Sequence, residues 1–166
     1  MTLYQGLPKS DKMDLIAQKC TEAGISRIVP VLFSRCVVKW EKKDQEKKLQ
    51  RWQRIAAEAA KQSGRAMIPQ IGTPLTVSAL CGEIRKHELT LVPWEEEKGN
   101  GMRSRLSGQR EIALVIGPEG GIDRDEIERM TEAGAVPVTL GPRILRTETA
   151  GLAALVSLLT LTGDME

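Results

Sequence analysis

The alternation of strand-like and helix-like runs along the chain predicts an α/β fold, a mainly parallel sheet flanked by helices. Two further observations point the same way. The run IALVI at residues 112–116 is apolar without alternation, the pattern of a strand covered on both faces. Three strand-like runs also end in loops rich in glycine or proline, where open α/β sheets bind ligands.

Each element has its own local signal. Residues 11–23 place Met13, Ile16, Ala17 and Cys20 at helical spacing, with Ser10 as N-cap and Gly24 as stop. Residues 27–33 (RIVPVLF) are β-rich, and Pro30 points to an edge or irregular strand. A long helix is expected over 44–62, with Leu49, Trp52, Ile55, Ala56 and Ala59 inward and Lys43, Lys47, Arg51, Arg54 and Lys61 outward. A shorter helix over 77–85 leads into a strand at 88–93 (ELTLVP). The loop WEEEKGNGMRSRLSGQ follows, expected to be mobile around its glycines. After the 112–116 strand, Asp123 and Glu126 form a capping-box pattern at the start of a helix that Gly134 closes. A strand at 136–140, a loop at 141–146 and an Ala/Gly/Leu-rich helix from 147 to 161 complete the chain.

Composition narrows the function classes. The 166 residues are 41% hydrophobic and 28% charged, which suits one folded domain with one core. With 3 Trp, 1 Tyr and 1 Phe, a base-stacking RNA-binding sheet is disfavoured. The longest apolar run is too short to span a bilayer, and MTLYQGLPKSDK has no apolar signal core, so the expected compartment is the cytoplasm. Net charge is +2, yet residues 1–70 hold 14 Lys/Arg against 7 Asp/Glu while the remainder holds 10 against 15. A basic half of this kind suits either a polyanion met by one face or a solvated helix surface. Cys20, Cys36 and Cys81 form no Cys-x-x-Cys pair and His87 is the single histidine, so no metal site is expected. Cys20 reads as buried packing and His87 as exposed, which also disfavours Ser-His and Cys-His catalysis.

The chemistry is expected in three loops: 92–95 (VPWE), 116–121 (IGPEGG) and 140–149 (LGPRILRTET). Glycines there admit close backbone approach to a ligand, and prolines fix the loop shape. Neither G-x-G-x-x-G nor the P-loop pattern is present, and a nucleoside held by backbone contacts suits these loops better.

The run LVIGPEGGIDRDEIERMTEAGAVPVTLGPRILRTETAGLAALVSLL resembles the SPOUT class of methyltransferases. Together with LPKSDKMDLIAQKCTEAGI, EAAKQSGRAMIP and LVPWEE, it is similar to the RsmE family of ribosomal RNA uridine-N3 methyltransferases, over nearly the whole chain. The resemblance implies a C-terminal deep trefoil knot, S-adenosylmethionine bound bent within it, a homodimer, and 16S ribosomal RNA or the small ribosomal subunit as partner. It places Val92 and Pro93 in the first cofactor loop, Ile116, Gly117 and Gly121 in the second, and Leu140, Gly141, Ile144 and Leu145 in the third. Ala150, Gly151, Ala153 and Ala154 then permit close packing of the last helix, internally or across a dimer. Family members carry a PUA-like β-barrel ahead of this domain. This sequence starts beside the knot domain, so 1–166 is expected to be the SPOUT domain alone.

For methyl transfer to uracil N3, Arg146 is the first choice to hold the O2 or O4 edge as negative charge builds. Glu148, the nearest carboxylate, reads either as general base or as a helix cap, and Glu119 shares the ambiguity. By resemblance Gln62, Ser63 and Arg65 face the target nucleotide or its phosphates, and Lys9 and Lys12 extend a phosphate track. Trp94 reads either as a cap on adenosine or the flipped base, or as core packing. Two competing activities stand beside N3 methylation: ribose 2′-O methylation, and RNA binding without catalysis.

Overall fold

The computed structural model describes residues 1–38 and 40–165. Seven strands form one sheet: β1 (Thr2–Gly6), β2 (Arg27–Leu32), β3 (Gln70–Ile71), β4 (Leu75–Thr76), β5 (Leu89–Pro93), β6 (Ile112–Ile116) and β7 (Ala135–Val138). Five helices connect them: α1 (Lys12–Glu22), α2 (Lys42–Gln62), α3 (Val77–Ile84), α4 (Arg124–Glu132) and α5 (Thr147–Thr162). The strand order is β3-β2-β1-β6-β5-β7 with β4 also on β2, and every pairing is parallel. The α/β expectation therefore holds.

Strand periodicity explains the layering. Leu3, Ile28, Leu91 and Leu114 face one side, where they meet Met13, Ile16 and Cys20 of α1, Trp52 and Ala56 of α2, and Leu155 and Leu158 of α5. Their neighbours Tyr4, Val29, Val92 and Val115 face the other side and meet Leu80 and Ile84 of α3 with Ile127 and Met130 of α4. Covering both faces of a parallel sheet is what makes its strands apolar throughout. The outward cations of α2, from Lys43 to Lys61, are all exposed as the spacing predicts.

Four expectations are corrected. Ser10 does not cap α1; Asp11 occupies that position, and Ser10 adopts φ 54°, a left-handed turn conformation. Pro30 lies in a strand with partners on both sides. Ser26 and Ile28 turn their carbonyls toward β3, so Pro30 shares that direction, and its missing N–H falls in the gap where β3 ends and β4 has not begun. The 94–109 loop is pinned: Glu97 accepts from the N–H groups of Gly99 and Asn100, Asn100 accepts from Thr139, and a short 3-10 turn runs over Met102–Arg105. His87 is half-buried, with Nε2 2.9 Å from the Tyr4 hydroxyl. The capping box at Asp123 and Glu126 forms as predicted.

Candidate active site

Parallel strands aim their carboxyl ends at one rim of the sheet, and the loops leaving β5, β6 and β7 meet there. They enclose two adjoining compartments. The larger, about 550 Å³, is walled by Pro93, Trp94, Leu140, Gly141, Arg143 and Leu145 among others. The smaller, about 280 Å³, is walled by Lys12, Ile116, Gly117, Glu119, Gly121 and Arg146 among others. Pro93, Glu95, Ile144, Leu145 and Ala150 belong to both, so the two form one bent cleft.

Local structure explains the shape of these walls. Gly6 ends β1 against the 117–118 backbone; a Cβ there would lie 2.4 Å from the Pro118 nitrogen, so only glycine lets the strand reach this loop. Gly121 has φ +74°, and a Cβ on it would stand 2.6 Å from the Glu95 carboxylate. The start of α5 is fastened to the same loop. The Thr147 hydroxyl donates to the Gly117 carbonyl at 2.6 Å and accepts from Gln5 Nε2 at 2.9 Å, and Gln5 is fully buried. The paired Gln5 Nε2 and Thr147 hydroxyl fix one geometry for the loop, although Gln5 Oε1 has no partner among the described residues.

Charge in the smaller compartment is organised around Lys12. Its ammonium lies 3.0 Å from Glu119 and 3.2 Å from Glu148, and these contacts raise its pKa, Glu119 first. Burial works to raise the Glu119 carboxyl, but hydrogen bonds from the N–H groups of Lys9 and Glu119 itself, with Lys12, hold it below the ordinary range. Glu148 is also lowered, first by its own N–H and then, against burial, by Lys12. Arg146 occupies the N-cap of α5 with its side chain exposed and making no capping bond.

Of the sequence-predicted cofactor residues, Pro93, Ile116, Gly117, Gly121, Leu140, Gly141, Ile144 and Leu145 all line the cleft. Val92 does not; it is buried beneath, among the side chains facing α3 and α4. Arg146 and Lys12 are brought together here, with Glu148 tied in through Lys12. Lys9 enters through its backbone, which donates to Glu119 at 3.0 Å. Trp94 packs on the core beneath, as one of its readings has it, and it also walls the larger compartment.

Gln62, Ser63 and Arg65 lie elsewhere. Arg65 donates to the carbonyls of Thr21, at the end of α1, and of Gly24 and Ile25, in the turn before β2, so it sits at the amino rim of the sheet. Its guanidinium closes the end of α1. The Ser63 hydroxyl donates to the Ala59 carbonyl at 2.7 Å, and Gln62 is exposed at the end of α2. Glu95, Gln5 and Thr147 were missed in the sequence. Glu95 and Thr147 carried a signal, as parts of the 92–95 and 140–149 loops, and Gln5 carried none; its pairing with Thr147 spans nearly the whole chain.

Comparisons with known proteins agree with this geometry. A family model described as an RNA methyltransferase domain matches residues 1–159. The Bacillus subtilis ribosomal RNA small subunit methyltransferase E is 40% identical over 160 residues, covering 92% of this chain and 62% of that protein. The chain thus spans somewhat less than two thirds of that relative's length. A Neisseria gonorrhoeae protein of the same name, solved bound to S-adenosyl methionine, superposes with TM-score 0.87 at 35% identity over 96% of this chain and 66% of its own. The SpoU methyltransferase AviRb from Streptomyces viridochromogenes shares the fold, with TM-score 0.58 at 12% identity over 99% of this chain and 61% of its own.

Proposed function

The chain belongs to the family of RNA methyltransferase domains, and from that premise we propose that it transfers the methyl group of S-adenosylmethionine to N3 of a uridine in 16S ribosomal RNA. The observation that carries the reading is the bent two-compartment cleft beyond β5, β6 and β7, with Arg146 at the mouth of its smaller part. A compartment of about 550 Å³ is the size of pocket that takes a small cofactor. Its walls suit an adenosine: the 139–145 backbone offers amide and carbonyl groups, and Trp94 Nε1 is buried without a partner among the described residues. Leu140, Gly141 and Leu145 would hold the adenine, and Gly117, Gly121 and Glu95 the methionine end near Arg146.

When bound, the cofactor supplies an electrophilic methyl group on a sulfonium whose charge vanishes as the methyl departs. The chain supplies alignment, a dry wall and a counter-charge for the acceptor. Arg146 offers N–H donors to O2 or O4 as N3 loses its proton and the uracil becomes anionic. Glu119 and Glu148 are ill suited to take that proton, because both are held below the usual carboxylate range.

The same reading includes a trefoil knot, a homodimer and action in the cytoplasm, where the RNA resides. The knot is supported by the path from β7, beyond β5 at the sheet edge, back past the 94–111 segment to α5 against α1. The dimer is supported by Ile144, 86% exposed beside the cleft, and by the partly exposed Leu152, Ala153 and Val156 on α5.

Calorimetric titration with S-adenosylmethionine and S-adenosylhomocysteine, with ATP and NAD as controls, tests the pocket; both sulfur ligands bind and the controls do not. Digestion of treated 16S RNA to nucleosides, read by mass spectrometry, then shows 3-methyluridine. A ribose-methylated product would refute the acceptor, and binding without any product would leave an RNA-binding module. Arg146→Ala is expected to lower kcat about 10²–10³-fold, the scale of a lost transition-state donor, while cofactor affinity stays within about twofold.

A further inference from the structure

Lys12, Glu95, Glu119 and Arg146 wall the smaller compartment, and Glu148 joins them through Lys12. These groups come from separate places in the chain: Lys12 from the first turn of α1, Glu119 from the loop after β6, Arg146 and Glu148 from the start of α5. Arg146 stands two residues before Glu148 and shares a wall with Glu119, so both carboxylates are potential partners for its guanidinium. Among the described residues, however, neither is within ion-pair distance of it, and both are paired with Lys12 instead, at 3.0 and 3.2 Å. An ammonium with three donors on a flexible stem suits two acceptors that lie on different segments. Of the two cations near Glu148, Lys12 depresses its carboxyl more than Arg146 does.

We propose that Lys12 is a positioning residue: by holding Glu119 and Glu148 in ion pairs, it keeps the Arg146 guanidinium free for the acceptor. This deepens the methyltransferase reading and rests on it for the role of Arg146. Without Lys12, two carboxylates fixed by backbone N–H groups would face one cation in a partly enclosed site, where the attraction is stronger than in bulk water. Arg146 would then turn inward to Glu148 or Glu119, away from where the uracil edge binds. Both carboxylates therefore act through what they leave unbound.

The test reads the guanidinium directly and needs no turnover. Purified chain is treated with phenylglyoxal, and the adduct at Arg146 is followed by peptide mass spectrometry, with exposed Arg143 as internal reference. Lys12→Met is expected to slow modification of Arg146 several-fold relative to Arg143, Lys12→Arg to match the parent, and Lys12→Met with Glu148→Gln and Glu119→Gln to recover the parent rate. Equal reactivity in the parent and Lys12→Met overturns the proposal. A second arm guards against a misfolded variant: Glu148→Gln alone should leave Arg146 reactivity unchanged, and acceleration would mean Glu148 already engages it. Turnover on 16S RNA should follow the same order, with Lys12→Met losing about tenfold in kcat at unchanged cofactor affinity. Loss of cofactor binding in step with turnover would make Lys12 a pocket residue and refute the positioning role. A rise in the RNA KM alone would make it a phosphate contact and refute the role equally. If the parent binds cofactor but methylates nothing while the reactivity pattern holds, the functional reading fails and the ion-pair arrangement stands.

Discussion

Arg65 gives its guanidinium N–H groups to the carbonyls of Thr21, Gly24 and Ile25 at 2.7 to 3.1 Å, whereas Arg146 makes no such bond and faces the cleft. Both follow the same kind of sequence context, a turn beside a helix end. Only the fold tells them apart, because the end of α1 offers its carbonyls to the first, whereas the second lines the cleft beyond β5, β6 and β7. Hydrogen bonds from a charged donor to backbone carbonyls contribute about 1.5–3 kcal/mol in total effect when lost. Arg65→Met should therefore lower the thermal midpoint by roughly 3–12 °C, at about 2–4 °C per kcal/mol for a chain of this size. Calorimetric affinity for S-adenosylmethionine should not move, since Arg65 lies at the far rim. Weaker binding of 16S RNA with no fall in stability would return Arg65 to the RNA-facing role.

Among the elements, what was legible in the sequence was local. The capping box of α4 involves Asp123 and Glu126, three residues apart, and forms as the spacing implies, with Asp123 also accepting from Asp125. Asp123→Ala should cost about 1 kcal/mol in equilibrium denaturation. A larger loss is not expected, because the Arg35 pair that also depends on Asp123 is half-exposed and adds little. What was not legible depended on distant partners. The 94–109 loop reads as mobile from its glycines, but its anchor is Thr139, which meets Asn100 and Gly101 only after β7 is in place. Pro30 reads as a signal of an edge or irregular strand because the break between β3 and β4, which accommodates it, lies about forty residues away in chain order. In the same way the cleft loops were identified by composition, while the Gln5–Thr147 contact that sets their spacing was not.

At the scale of the whole molecule, one polar contact ties the first strand to the turn before β5: the Tyr4 hydroxyl and His87. Burial pushes the Tyr4 phenol up to about 12 and holds His87 below its usual 6.5, so the imidazole stays neutral in the fold. As pH falls, the unfolded chain takes up this proton before the folded one does. The contribution is thus complete above about pH 6.5 and is lost as pH drops through the gap between the two values. His87→Gln should flatten that part of the melting-temperature profile. The depressed carboxyls of Glu83, Glu119 and Glu148 add a separate loss below about pH 4.5, which the variant keeps. An unchanged slope between pH 7 and pH 5 in the variant would assign that region to other groups.

The sheet order places β6 between β1 and β5, so Tyr4 pairs with Val115 although nearly all of the intervening chain must first be made. During synthesis β1 can pair with β2 at once, but its other edge stays open until β6 leaves the ribosome. An open edge of this kind is a template for pairing with another chain. Closing it late, across a long loop, also makes folding slow for a domain of this size. The nascent molecule therefore passes through a period in which one edge of β1 is unpaired, ended by the arrival of residues 112–116.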